Sequence, residues 1–493
     1  MLPRGAPAQT AVAFPPDTPE NQGLSSAALH ELAGEIQQYL DEDSILGAEF
    51  LVIKNRRTVF HEVFGWKDRD DQTPMERNTL FNIRSMTKPV TGAAAQILID
   101  EGRLSLEDPV STYIPGFLNG RSAEATIDQL LTHRSGLPLS ILTRLDEYSS
   151  LYDMANAIGE KGPQFSPGTK FWYSDAGSEA LGAVGEVASG MGLEAFVNQR
   201  LLGPLGMSDS FYQMPADDPR WERVASDYAS SQGEWIRFYK PGGKSMYPFA
   251  WGSQSLYSTP ADYAKFLAMW MDRGLALNGQ RILSADAVTR TLAPVSAMTQ
   301  LNSNAPMPSG FPGLNVFYGR LAIVYMERAA SSPQNPIVIG HSGSDGTWAW
   351  AWPELDLIVL YFTQSRGTIS GIRLETVIDQ KLIHPSGSGT IPKEQKPYLG
   401  NYLANYGPFQ NAEFKVVSVN GFLMLDIPTQ IIFELREPDS RGVWKFVLDG
   451  NMGISFVEDN TGTVTGLRFQ EYGSTAYMPK IQETPVADWI LLE

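Results

Sequence analysis

Apolar residues crowd two short runs near the start of the chain, residues 49–53 and 58–64, and the polar stretch Lys54-Asn55-Arg56-Arg57 divides them. That pattern predicts a β-hairpin, preceded by a helix over residues 25–40. The period then changes. Between residues 85 and 100, Val90, Ala93, Ala94, Ile97 and Leu98 fall at i, i+3, i+4, i+7 and i+8. This is the buried stripe of a helix, and Gly102 follows as its C-cap. From about 125 to 292 the chain reads mainly as helices and loops, with helices expected at 127–132, 181–189, 193–202 and 260–273. The last has Thr259 as N-cap and Pro260 at its first position. Strand signals return at 318–325, 336–339, 347–352 and 357–363, with a helix at 372–382. Two strands, then helices, then more strands and a helix predict an α+β antiparallel sheet carrying a helical insertion.

The texture changes again after residues 384–396 (HPSGSGTIPKEQK), a Pro-, Gly- and Ser-rich linker. Seven short β-rich runs follow, at 414–419, 422–427, 431–435, 444–448, 453–457, 464–469 and 474–478. Asn420-Gly421, Asp449-Gly450 and Thr461-Gly462 separate some of them, as expected for a small antiparallel barrel or sandwich.

Composition narrows the function. A length of 493 residues implies two or more structural units. The net charge of -17 argues against a nucleic-acid partner, which would need clustered Lys and Arg. No apolar run reaches the roughly 18 residues a membrane span requires. The absence of cysteine excludes disulfides, thiolate nucleophiles and cysteine metal ligands. His30, His61, His133, His341 and His384 share no metal-ligand spacing, so neither a metal nor another cofactor is expected. The segment Met1 to Ala8 is polar and reads as a tail, with Ala6-Pro7-Ala8 as the alternative trace of a removed export signal. The compartment stays open: cytoplasmic, or periplasmic or secreted if such a signal was removed.

The sharpest chemical candidate is Ser85-Met86-Thr87-Lys88 at the start of the amphipathic helix. Residues three apart share a helix face, so the hydroxyl and the ammonium can meet. The helix start favours developing negative charge, and a lysine buried there is expected to have a lowered pKa and to act as a base. The plain alternative is a capping serine followed by a surface lysine. Two later stretches add candidates. Tyr173, in Phe171-Trp172-Tyr173-Ser174-Asp175, is a proton relay or else a half-buried aromatic. Gly340-His341-Ser342-Gly343-Ser344 offers backbone N–H groups to an oxyanion or else forms a tight turn.

Taken in order, FNIRSMTK (81–88), GRLSLEDPV (102–110), IDQLLTHRSGLP (127–138), PGTKFWYS (167–174), LGPLGM (202–207), STPADYAKF (258–266) and GHSGSDG (340–346) resemble the serine β-lactamase-like superfamily. Class C β-lactamases, family VIII carboxylesterases and D-stereospecific aminopeptidases are the nearest groups within it. The resemblance runs from about 46 to 382. It implies a β-lactamase/penicillin-binding-protein-like hydrolase domain over 1–384; beyond it the change of texture places a linker over 385–396 and a C-terminal lipocalin-like β-barrel over 397–493. The resemblance also implies Ser85 as nucleophile, Lys88 as its activating partner and Tyr173 as general base, with the backbone N–H groups of Ser85 and Ser344 as the oxyanion hole. Asp175, His341, Ser342, Gly343 and Trp348 are the expected substrate-binding residues. Trp348 is included because Trp348, Trp350 and Trp352 share a strand face and could line an acyl pocket, although a core or sheet-packing face is the better explanation.

Two positions depart from the superfamily pattern. Asp175 replaces a common Asn, and would either pair with Lys88 or repel an anionic substrate. His341 replaces a lysine that holds the β-lactam carboxylate. Both shift the expected substrate from β-lactams to neutral esters or amides, with hydrolysis of small esters through an acyl-enzyme first. A D-amino-acid peptidase or amidase acting on short peptides is the alternative, and a non-catalytic penicillin-binding-like receptor or scaffold is the reading from another class. A homo-oligomer is compatible with any of them.

Overall fold

The computed structural model describes residues 12–299, 307–328, 335–385, 391–428 and 430–482. The N-terminal segment 1–8 and part of the expected linker, 386–390, lie outside them.

Every residue of the strand Leu357–Thr363 (LIVLYFT) is buried. A strand apolar on both faces belongs in the middle of a sheet covered on both sides. It pairs antiparallel with Gly47–Lys54 on one side and Trp348–Trp352 on the other. Outward from these lie Arg57–Asp68 and Thr73–Pro74 in one direction, and Val338–Ser342, Ile323–Glu327, Leu314–Tyr318 and Ser296–Ala297 in the other. The N-terminal hairpin is thus joined to strands from the far end of the insertion, and the expected α+β arrangement holds. The helix Ser26–Asp41 begins with Ser25 as N-cap, its side chain accepting from the Ala28 N–H.

Strand alternation separates the two faces of this sheet. Trp348, Trp350 and Tyr361 point to the face covered by the helix Ser370–Ile378, where Trp350 Nε1 donates to Glu375 at 3.0 Å and the Tyr361 hydroxyl lies 3.1 Å from that of Ser370. Ala349, Ala351 and Phe362 point to the other face. There Phe362 meets Tyr263 of the helix Pro260–Met271. The helix Thr87–Asp100 packs next to Asp175–Ser189 and Ala285–Leu292.

Three expectations need correction. The run 318–325 is the centre of a hairpin, Leu314–Tyr318 and Ile323–Glu327, turning at Gly319, whose N–H donates to Ala322 O at 2.8 Å. Continuous apolar residues on both sides of the turn hid it. Within the mainly helical insertion, Asp227–Ser231 and Glu234–Tyr239 form a hairpin through Gln232 and Gly233, which adopt φ of 53° and 83°. The third concerns the C-terminal unit, which has eight strands, beginning with the unforeseen Gly400–Tyr406.

This curled sheet closes on itself. Its end strands, Ile432–Glu434 and Trp444–Lys445, are linked by Val447 N–H to Glu434 O and Arg436 N–H to Lys445 O, both 2.8 Å. Tyr402, Phe414, Leu425, Phe446 and Phe469 form its separate core. The barrel is fastened to the Trp-lined side of the main unit. Arg373, on the helix Ser370–Ile378, donates to Glu35 at 2.6 Å and to Asp426 at 2.7 Å. Val419, Met424 and Ile432 join the main apolar core. Among the described residues, no single helix is long and apolar enough to cross a membrane.

Burial of Glu375 under this sheet pushes its carboxyl up to about 8, with the Trp350 N–H opposing. A carboxyl whose folded pKa exceeds its unfolded value stabilises the fold at low pH, and that contribution is lost as pH rises through the folded pKa. Stability is therefore expected to fall between about pH 5 and 8 by a few kcal/mol. Glu375→Gln, which keeps an acceptor for Trp350, should flatten this slope; thermal unfolding midpoints of both proteins at pH 5 and 8 measure it.

Candidate active site

Phe81–Asn82 pairs with Tyr257–Ser258 and delivers the chain to a tight turn, Arg84–Met86, in which Arg84 adopts the left-handed φ of 49°. Ser85 lies in this turn, and the helix proper begins at Thr87. Ser85 therefore precedes the helix rather than opening it, so the turn aims its hydroxyl. The Lys88 side chain is fully buried, and its Nζ donates to Ser85 Oγ at 2.9 Å and to Ser253 O at 3.2 Å. It also lies 2.7 Å from Asp175 Oδ1. The Tyr173 hydroxyl is within hydrogen-bonding reach of both Lys88 and Ser85, and the ammonium sits 4.8 Å from the centre of its ring.

Tyr173 and Asp175 flank a helix start. Ser174 caps Asp175–Ser189 by accepting from the Gly177 N–H at 2.8 Å while donating to Pro138 O at 2.7 Å. This double use of one hydroxyl fixes the residues on either side of it against the turn that carries Ser85.

The charge on Lys88 is the main electrostatic correction. Burial disfavours the ammonium, but Tyr173 and Asp175 outweigh that penalty and hold its pKa above the ordinary lysine value. The expected lowered pKa assumed burial without a counterion; Asp175 supplies one. Burial likewise pushes the Tyr173 phenol up, with Lys88 opposing. The resting site thus holds an ammonium and a neutral phenol.

His341 is 2% exposed and meets Tyr318, whose ring in turn contacts Tyr173. Its Nδ1 is 2.6 Å from Ser342 O, so it carries the proton, and Nε2 then accepts from the Tyr318 hydroxyl at 2.7 Å. Burial first, and then the Lys88 charge, lower its pKa to about 3. It stands as a neutral positioning group in a nest of rings, with His133 4.5 Å from Tyr173 and 4.6 Å from Tyr318. His133 and Tyr318 were not singled out from the sequence for this site. The stretch THRSGLP was the available signal for His133, and Tyr318 had none.

The turn after His341 packs against Ile83 and Arg84, the residues just before Ser85. Gly343 N–H donates to Thr347 O at 2.7 Å, and a Cβ on Gly343 would lie 2.6 Å from Ile83 O. Only glycine permits that approach. Ser342 spends its carbonyl on His341, and Ser344 is exposed at the tip of the turn. Trp348 is a correction. It is 2% exposed, packs on Gly371 and Tyr361, and points to the sheet face opposite His341 and Lys88. Strand parity requires this, because Ala349, not Trp348, is the partner of His341. Among the described residues, no cluster of three or more His, Cys, Asp or Glu could hold a metal.

Comparison with known proteins agrees with this geometry at the level of family and fold. The Beta-lactamase family model matches residues 32–380. Protein Rv1367c of Mycobacterium tuberculosis is 30% identical over 363 residues, covering 67% of this chain and 88% of that protein. The octameric penicillin-binding protein homologue from Pyrococcus abyssi superposes with a TM-score of 0.61 at 21% identity, over 92% of this chain and 99% of that one. EstCE1, a hydrolase with promiscuous acyltransferase activity, superposes at 0.59 and 21% identity, over 71% and 98%. The fold is that of β-lactamases and penicillin-binding proteins with a separate C-terminal eight-stranded unit, and the chain belongs to the beta-lactamase family.

Proposed function

We propose that the protein is a serine hydrolase, a carboxylesterase of small neutral esters with at most weak β-lactamase activity. The observation that carries this reading is the hydrogen bond from Lys88 Nζ to Ser85 Oγ at 2.9 Å, with Tyr173 in reach of both groups. Ser85 Oγ attacks the acyl carbon and its proton passes to the Tyr173 oxygen, while Tyr173 gives its own proton to the departing alkoxide. The phenol is neutral before and after, and carries partial negative charge only in between. The Lys88 ammonium, kept charged by Asp175, stabilises that charge. The backbone N–H groups of Ser85 and Ser344 are assigned to the tetrahedral oxyanion. Water then repeats the sequence in reverse: it loses a proton through Tyr173, and Ser85 regains one.

The neutral state of His341 supports neutral substrates, since position 341 brings no cation to a carboxylate. We read the chain as a hydrolase unit joined through residues 385–396 to the C-terminal barrel.

Mass spectrometry after brief exposure to a short-chain p-nitrophenyl ester is expected to place the acyl group on Ser85. Ser85→Ala should lose both the adduct and turnover. Among this ester, a D-alanyl anilide and a chromogenic cephalosporin, the ester should show the largest kcat/KM. Full activity in Ser85→Ala, or failure of a fluorophosphonate to label the wild-type protein, would sink the reading.

A further inference from the structure

We propose that Asp345 is a positioning residue that sets the spacing between the two oxyanion donors, by tying the turn that carries Ser344 to Arg84, the residue before the nucleophile. The inference rests on the assignment of Ser85 and Ser344 given above.

Asp345 is wholly buried, and each of its oxygens meets a different arginine. Oδ2 accepts from Arg84 Nε at 2.5 Å, and Oδ1 accepts from Arg366 Nε at 2.6 Å. Arg84, itself 3% exposed in its side chain, also donates to Asp227 at 3.0 Å and to the Tyr247 hydroxyl. Arg366 stacks at 4.6 Å on Phe238 of the insertion hairpin. The fork of each guanidinium fixes direction as well as distance. Asp345 is adjacent to Ser344, and Arg84 is adjacent to Ser85. The ion pair therefore connects the immediate neighbours of both proposed donors.

The backbone at this junction is already tight and strained. Gly343 has no room for a Cβ against Ile83, and the turn is closed by Gly346 N–H to Gly343 O at 3.1 Å. Arg84 holds a left-handed φ of 49° with its N–H on Asn82 Oδ1 at 3.1 Å. A non-glycine residue keeps such a conformation only when its surroundings over-determine it. Four anchored contacts on one arginine, to Asp345, Asp227, Tyr247 and Asn82, do so. A purely structural ion pair would stabilise the fold without acting on the tetrahedral intermediate in particular, which is the distinction to measure.

Asp345→Asn keeps the size of the side chain but leaves one arginine without an acceptor. Its kcat on a p-nitrophenyl ester is expected to fall about 10- to 100-fold, the cost of displacing one donor, with KM little changed. The inhibition constant of an alkyl boronic acid, which forms a tetrahedral adduct on a serine, should rise by the same factor as kcat/KM falls. Arg366→Gln, at a side chain 40% exposed, releases only the outer tie and should give a smaller loss of the same kind. The proposal is overturned if Asp345→Asn folds with wild-type kcat, or if its loss appears in KM while boronate affinity is unchanged. If Asp345→Asn does not fold, wild-type boronate affinity in Arg366→Gln overturns it equally. Failure of the wild-type protein to react with a fluorophosphonate would instead remove the assignment of Ser85.

Discussion

Lys88→Met is expected to lower kcat for ester hydrolysis by about 10³- to 10⁴-fold, the upper range for losing a group that assists proton transfer. Lys88 is held as an ammonium by Asp175 at 2.7 Å, so its loss removes the cation facing both Ser85 and Tyr173. It also leaves Asp175 without its partner, and breaking such a pair costs about 3–5 kcal/mol. Adding Asp175→Asn to Lys88→Met should recover much of the stability and none of the activity, which separates the two effects. Asp175→Asn alone should lower the lysine pKa. In the proposed scheme the ammonium is the working form, so the alkaline limb of the kcat profile then moves to lower pH. Movement to higher pH, or none, would count against the charged-lysine scheme.

Tyr173→Phe should reduce kcat by about 10²- to 10⁴-fold, since it removes the relay hydroxyl and nothing else. The ring keeps its contacts with His133 and Tyr318, so the thermal midpoint should stay close to that of the wild type. Rates before and after the first turnover on the nitrophenyl ester locate the loss. Both acylation and deacylation should slow, because the same hydroxyl serves each. An activity loss explained by unfolding alone would rule out the relay role.

How much of this was legible depended on distance along the chain. Ser85 and Lys88 sit three residues apart, so their contact could be anticipated from spacing, although the turn before the helix, and not the helix itself, aims the Ser85 hydroxyl. Tyr173 and His341 were reached through the resemblance of their flanking stretches. The charge state of Lys88 was not legible, because burial and Asp175 act in opposite directions and only distances decide which prevails. Trp348 shows a second limit. Period-two alternation says that Trp348, Trp350 and Trp352 share a face, but both faces of this sheet are buried, so composition does not reveal which one carries the site. The Arg84–Asp345 pair shows a third: nothing in the sequence singles out either residue, and their meaning lies in the contact. The strand Gly400–Tyr406 (GNYLANY) escaped notice because its polar positions face outward in a sheet whose inner side needs only Tyr402 and Ala404 buried.

The way both sheets end has a consequence for assembly. The main sheet finishes in Thr73–Pro74 on one side and in Ser296–Ala297 and Met307–Pro308 on the other, two residues each. The C-terminal sheet spends its edge groups on closing the barrel. Short, proline-bearing or closed edges give an incoming strand little to hydrogen-bond with. The exceptions are Arg57–Asp68, which Thr73–Pro74 pairs only at Trp66 and Asp68, and the outer strand of the insertion hairpin, Glu234–Tyr239, so copies of this chain that associate edge to edge would meet there and not at the barrel.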